Sequence, residues 1–178
     1  MDDEDDAGAA ELNALTARTH SIMEKKISVS SRRTYHASQI RLLLWWFEKR
    51  PALLMDAFRL ELASHAARST RKGFIKSVLG PPANKLFPPL KWDEVVYEDF
   101  SNWICSLKKR GADNRPLAFT TLCTHRSALS NLYDEWGQKM SSALEQHTSG
   151  FYRGLRRETA QKAQEGNIDN AESLNWPS

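Results

Sequence analysis

The side chains best placed to do chemistry in this 178-residue chain are cationic, and their spacing limits what that chemistry can be. Arg153, Arg156 and Arg157 stand at i, i+3 and i+4, so a helix puts them on one side, with Lys162 about one turn further on. Such a cluster suits contact with a phosphate backbone. It also fits a solvated helix face, for which Glu158 offers a local ion pair. Arg32 and Arg33 follow Ser30 and Ser31 and precede Thr34, the pattern of a phosphate clamp at a helix N-terminus, although an ordinary N-cap explains the serines equally well. Thr120, Thr121, Thr124, His125 and Arg126 set short hydroxyls beside one guanidinium, which suits backbone positioning better than base reading. Lys139 is a lesser cationic candidate.

Patterns of catalysis are missing. The sequence has no Gly-rich phosphate loop, no His-x-x-x-His or Cys-x-x-Cys, and no Ser or Cys in a nucleophile elbow. Its five histidines (His20, His36, His65, His125, His147) are scattered singly, and His125 projects close to an apolar helix face, as a hydrogen-bonded core histidine would. Cys105 and Cys123 lack a second ligand at metal spacing and read as buried, reduced small hydrophobes. The expectation is therefore no catalysis, no metal, no cofactor and no small-molecule substrate.

Charge points toward an electrostatic partner. Six of the 22 acids fall in the first eleven residues, so from Leu12 onward 25 bases face 16 acids, a net +9. A body this basic suits nucleic acid, and a solvated basic surface with an acidic tip is the plainer alternative. The longest apolar run, Leu42 to Phe47, is far short of the roughly 18 residues of a membrane span, and the acidic start is unlike a secretory signal. An intracellular protein is expected.

Helices must position these groups. Ile40, Leu43, Leu44 and Phe47 draw one helical stripe that Pro51 ends. Met55 to Leu79 reads as one or two short helices broken near Ser69 and stopped by Gly80, Pro81 and Pro82. Pro81 to Pro89 reads as a loop packed by Leu86 and Phe87. Phe100, Trp103, Ile104 and Leu107 repeat the stripe, with Lys108, Lys109, Arg110 and Gly111 as its C-terminal signal, and Asp113 to Pro116 make a turn. A helix from Leu117 to Trp136, stopped by Gly137, carries Leu122, Leu129, Leu132, Tyr133 and Trp136 on one face. The last helix opens with Ser142 and Glu145 at capping-box spacing, sets Leu144, Thr148, Phe151 and Leu155 on one face, and reaches toward Gly166. Trp45, Trp46, Trp103 and Trp136 read as core rather than as base-stacking platforms. The resulting expectation is an all-α bundle of about four to six helices over residues 28–166. It is flanked by an acidic, mostly disordered segment 1–27 with a weak helix from Leu12 to Lys26, and by a disordered tail 167–178.

Four segments in this order, SSRRTYHASQIRLLLWWF, PPLKWDEVVYEDFSNWICSLKKRG, LAFTTLCTHRSALSNLYDEWG and SSALEQHTSGFYRGLRRETAQKAQEG, resemble the core-binding domain of tyrosine recombinases. The version they resemble most is that of Crypton-type mobile elements of oomycetes, and the likeness runs from Ser30 to Gly166. It implies a SAM-like helical bundle that grips duplex DNA in the nucleus, beside a catalytic domain whose tyrosine nucleophile has no counterpart here. A catalytic-domain partner or a second copy of the chain is the other kind of partner it suggests. Gly154-Leu155-Arg156-Arg157-Glu158 is similar to the run around the first catalytic arginine of such enzymes, but the glutamate comes one residue early and no His-x-x-Arg follows, so it reads as basic helix surface. Val96 and Ala118 stand where the resembling sequences carry a hydroxyl cap, which leaves those two helix starts without their usual signal. The competing expectation is a protein-interaction or dimerisation module that uses an apolar surface.

Overall fold

The apolar stripes of the sequence become helices packed around one another, in a computed structural model described for residues 3–80, 86–109, 111 and 116–173. Seven α-helices and no strand occur among the described residues, an all-α bundle that is 78% helical. They are α1 (Asp3–Glu24), α2 (Val29–Lys49), α3 (Asp56–Ser64), α4 (Arg68–Val78), α5 (Tyr97–Ser106), α6 (Phe119–Glu135) and α7 (Ser142–Ser173). The number exceeds the expected four to six because α1 is a full helix and Met55–Leu79 divides at His65–Ala67. The turn Asp113–Pro116 and the stop at Pro81 and Pro82 lie largely outside the described residues.

Residues Met1–Thr34 and Tyr35–Ser178 form two compact units. In the first, the backbone is helical from Asp3, where the sequence suggests a disordered tip. Ser28 then caps α2, its Oγ accepting the Ser31 N–H at 3.1 Å. At the other end of the chain, α7 continues past Gly166 to Ser173, seven residues beyond the predicted limit.

The second unit is organised by its aromatic core. Trp46, Trp103, Phe58 and Phe100 are fully buried, each worth roughly 1.5–3 kcal/mol of apolar burial. Buried polar groups join the helices that these side chains pack together. The Trp46 indole donates to the Asp99 carbonyl (3.1 Å), and the Gln39 amide donates to the Ala128 carbonyl and Asn131 Oδ1 (2.9 and 3.1 Å). Tyr152 and Tyr133 donate their hydroxyls to the carbonyls of Leu122 and Trp92 (2.6 and 3.1 Å). Leu54 and Leu90 meet in an isolated antiparallel bridge, which ties the chain ahead of α3 to the chain ahead of α5. Leu86 does not pack as expected, being 80% exposed; Phe87 alone turns inward, against Phe74.

Helix ends show local chemistry and tertiary packing dividing the work. Val96 precedes α5 without a hydroxyl, and the buried Asp99 carboxylate instead accepts the Val96 N–H while its other oxygen pairs with Arg50 at 3.1 Å. Helix α6 starts after Ala118 with no side-chain cap at all. Its far end is a Schellman turn: Gly137 takes φ +63°, and the Gln138 and Gly137 N–H groups return to the carbonyls of Tyr133 and Asp134. Helix α5 stops at Ser106, so Lys108 and Lys109 lie beyond it, drawn into a bridge between Lys108 and Pro116, and do not complete its last turn as predicted.

Candidate nucleic-acid interface

Helix α7 is held by one face. Ser141, rather than the expected Ser142, caps it by accepting the Leu144 N–H at 3.1 Å. Leu144, Thr148 and Tyr152 are buried, with Phe151 and Leu155 partly so. Tyr152, absent from the predicted stripe, is its most heavily engaged member, stacking on Phe100 and holding the Leu122 carbonyl. With that face fixed, the helical period of about 3.6 residues sends Arg153, Arg156 and Arg157 outward, and all three are exposed. None forms an ion pair among the described residues. Glu158, the acid that could have neutralised them, pairs instead with Lys162 at 2.8 Å along the other flank of the helix. Lys162 is thus separated from the patch that the sequence assigned it to. Gly150 and Gly154 leave open space on the same outward side, so the α7 backbone is approachable beside the arginines.

Other predicted contacts are placed differently. Arg126 turns inward, where its Nη2 donates to Ser149 Oγ at 2.6 Å and its guanidinium lies 5.4 Å from the Tyr152 ring centre. It braces α6 against α7 one turn before Arg153, a consequence of the helix crossing that no local pattern encodes. Thr124 is half-buried and donates its hydroxyl to the Thr120 carbonyl at 3.1 Å, whereas Thr121 is exposed. Lys139 is exposed in the loop before α7, roughly 16 Å of helix rise from Arg153, and so stands apart from the patch. In the N-terminal unit Arg33 is exposed, and Arg32 donates to the Glu24 carbonyl at 3.0 Å, closing the end of α1. The clamp predicted for this pair therefore keeps one unengaged arginine.

One basic face was missed. Lys72 and Lys76 on α4 are exposed at i, i+4 without an ion pair among the described residues, while Arg68 is bound to Glu48 and Arg71 lies over Phe47. The spacing of those two lysines around Gly73 was the available signal. His125 is buried as expected, with Nδ1 2.6 Å from Ser38 Oγ and Nε2 without a protein partner. Burial, reinforced by Arg41, lowers its pKa to about 4, so the ring is neutral near pH 7. Cys105 is exposed rather than buried, and Cys123 is half-buried. Among the described residues no three His, Cys, Asp or Glu side chains gather to hold a metal, and no helix is long and apolar enough to cross a membrane.

The chain matches no family model, no curated protein and no solved structure.

Proposed function

We propose that this protein binds double-stranded DNA through the phosphate backbone, with Arg153, Arg156 and Arg157 of α7 as its main contact and Arg33 and Thr121 as secondary ones. The observation that carries this reading is the freedom of the three arginines: they project together from a helix anchored on its opposite face, and the neighbouring Glu158 is engaged elsewhere. Guanidinium groups held in this way neutralise phosphates without reading bases, so sequence preference is modest. The resemblance to recombinase core-binding domains supports the same ligand and adds a nuclear setting, a SAM-like arrangement of the helices and the company of a separate catalytic domain. On this reading the chain contributes grip and no strand-transfer chemistry. Its two buried tyrosines fit that role, since each donates to a backbone carbonyl and burial pushes each phenol well above its ordinary pKa.

The test is fluorescence anisotropy of a labelled duplex titrated with the full chain at several salt concentrations. Three arginine contacts contribute about −2.7 to the slope of log K against log salt. Salt-dependent binding whose slope flattens by about that amount in the Arg153→Ala, Arg156→Ala, Arg157→Ala variant supports the patch. Binding and slope unchanged in the variant would reject it.

A further inference from the structure

Helix α1 lacks what a helix in water ordinarily needs. Every residue from Gly8 to Glu24 is exposed, so no packed face supports it, and isolated helices of this length are marginal even with favourable composition. Leu12, Leu15, Ile22 and Met23 are each between 55 and 65% exposed. Leu12, Leu15, Thr19 and Ile22 follow one another at steps of three, four and three, the seam spacing of a coiled coil. Thr19 does not spoil that seam. Its hydroxyl donates to the Leu15 carbonyl at 2.9 Å, as that of Thr16 does to Leu12, so their polar groups are satisfied within the helix.

The charge along α1 selects the occupant. In sequence, residues 3–6 and Glu11 make the first half of α1 acidic, whereas Arg18 and, just past its last residue, Lys25 and Lys26 make the other end basic, with Glu24 the one exception. A parallel copy would set acid against acid. An antiparallel copy sets each acidic half within about one helical turn of the other chain's basic end, and lays Leu12 opposite Ile22 and Leu15 opposite Thr19. A sequence that is complementary to its own reverse fits a two-fold pair. We infer that α1 is a dimerisation helix that pairs antiparallel with α1 of a second copy of this chain. This assignment stands independently of the DNA reading, because it uses none of the residues of the arginine patch.

Sedimentation velocity of the full chain from low to high micromolar concentration tests it. The expected result is a monomer–dimer equilibrium that the Leu12→Glu, Ile22→Glu variant weakens at least tenfold without altering salt-dependent DNA binding per chain. Orientation is read in a Cys105→Ser, Cys123→Ala background, by mixing Leu12→Cys chains with Ile22→Cys chains under mild oxidation. Preferential disulfide formation between the two kinds of chain supports the antiparallel pair. A chain monomeric at every concentration overturns the proposal and leaves the stripe to a different protein. A dimer indifferent to the glutamates, or Leu12→Cys chains linking mainly to themselves, overturns it as well.

Discussion

Helices α6 and α7 each carry basic and hydrogen-bonding side chains along adjoining turns, yet the fold turns the two sets in opposite directions. On α6, His125 reaches Ser38 and Arg126 reaches Ser149, so both groups bind the protein to itself. On α7, Arg153, Arg156 and Arg157 are exposed and take part in no ion pair among the described residues. The residue types are alike and the surroundings differ: α6 is covered by α2, α5 and α7, whereas α7 is anchored along one face only. An arginine becomes available to a ligand when the helix that bears it is fixed by its other side.

The contrast can be broken most forcefully at His125. In the unfolded chain its pKa is ordinary, about 6.5, and in the folded chain it is lowered to about 4, because burial penalises the charged ring and Arg41 adds to the penalty. Above pH 6.5 both forms are neutral and the full stability is present. As the pH falls from 6.5 toward 4, the unfolded chain takes up a proton that the folded chain refuses, and stability is lost, reaching roughly 2–3 kcal/mol near pH 4.5. Urea midpoints at pH 7 and pH 4.5 measure the loss, and His125→Gln should flatten it. An equally steep dependence in that variant would assign it to carboxylates instead.

Next in size is the arginine patch. Triple replacement of Arg153, Arg156 and Arg157 by alanine should weaken DNA binding tenfold or more at moderate salt and leave the urea midpoint within about 0.5 kcal/mol of the parent, since exposed cations without partners add little to stability. Arg126→Ala should do the reverse. It removes a hydrogen bond and an aromatic contact between two helices, costing about 1–2 kcal/mol in the same unfolding experiment, with a smaller change in the salt slope. If Arg126→Ala matched the triple variant in DNA binding and spared stability, the division between the two helices would fail.

The smallest effect sharpens the outward face. Nothing lies within 4 Å of a Cβ built at Gly154, so Gly154→Ala should stabilise α7 by roughly 0.5–1 kcal/mol, seen as a rise in Tm. A fall in DNA affinity in this more stable protein would mark close approach of a phosphate backbone beside Arg153 and Arg157.

Much of the architecture was legible in the order of residues. The stripes ending at Pro51 and Gly137 became α2 and α6, because burial of one face and a left-handed stop are decided within a few residues. Helix starts were less legible. Ser141 and Ser142 are chemically identical, and only the direction in which α7 leaves the loop selects the first as cap. Asp99 gave no sign of its several tasks, since Arg50 and Trp46 lie about fifty residues away along the chain. The arginines of α7 were identifiable by spacing, and the i, i+4 spacing of Glu158 and Lys162 was a local signal for their pairing, whereas the inward turn of Arg126 was not legible.

By itself, then, the sequence determined most of the helices from α2 to α7, most of the faces they bury, the core position of His125 and the basic character of the body, because periodicity, capping and charge act over one or two turns. The tertiary structure decided which cations remain available. Arg126 and Arg153 are the same residue on neighbouring helices, and what separates them is that one meets Ser149 and Tyr152 across a packed interface while the other points away from it. That distinction depends on contacts between residues far apart in the chain, which no local pattern carries.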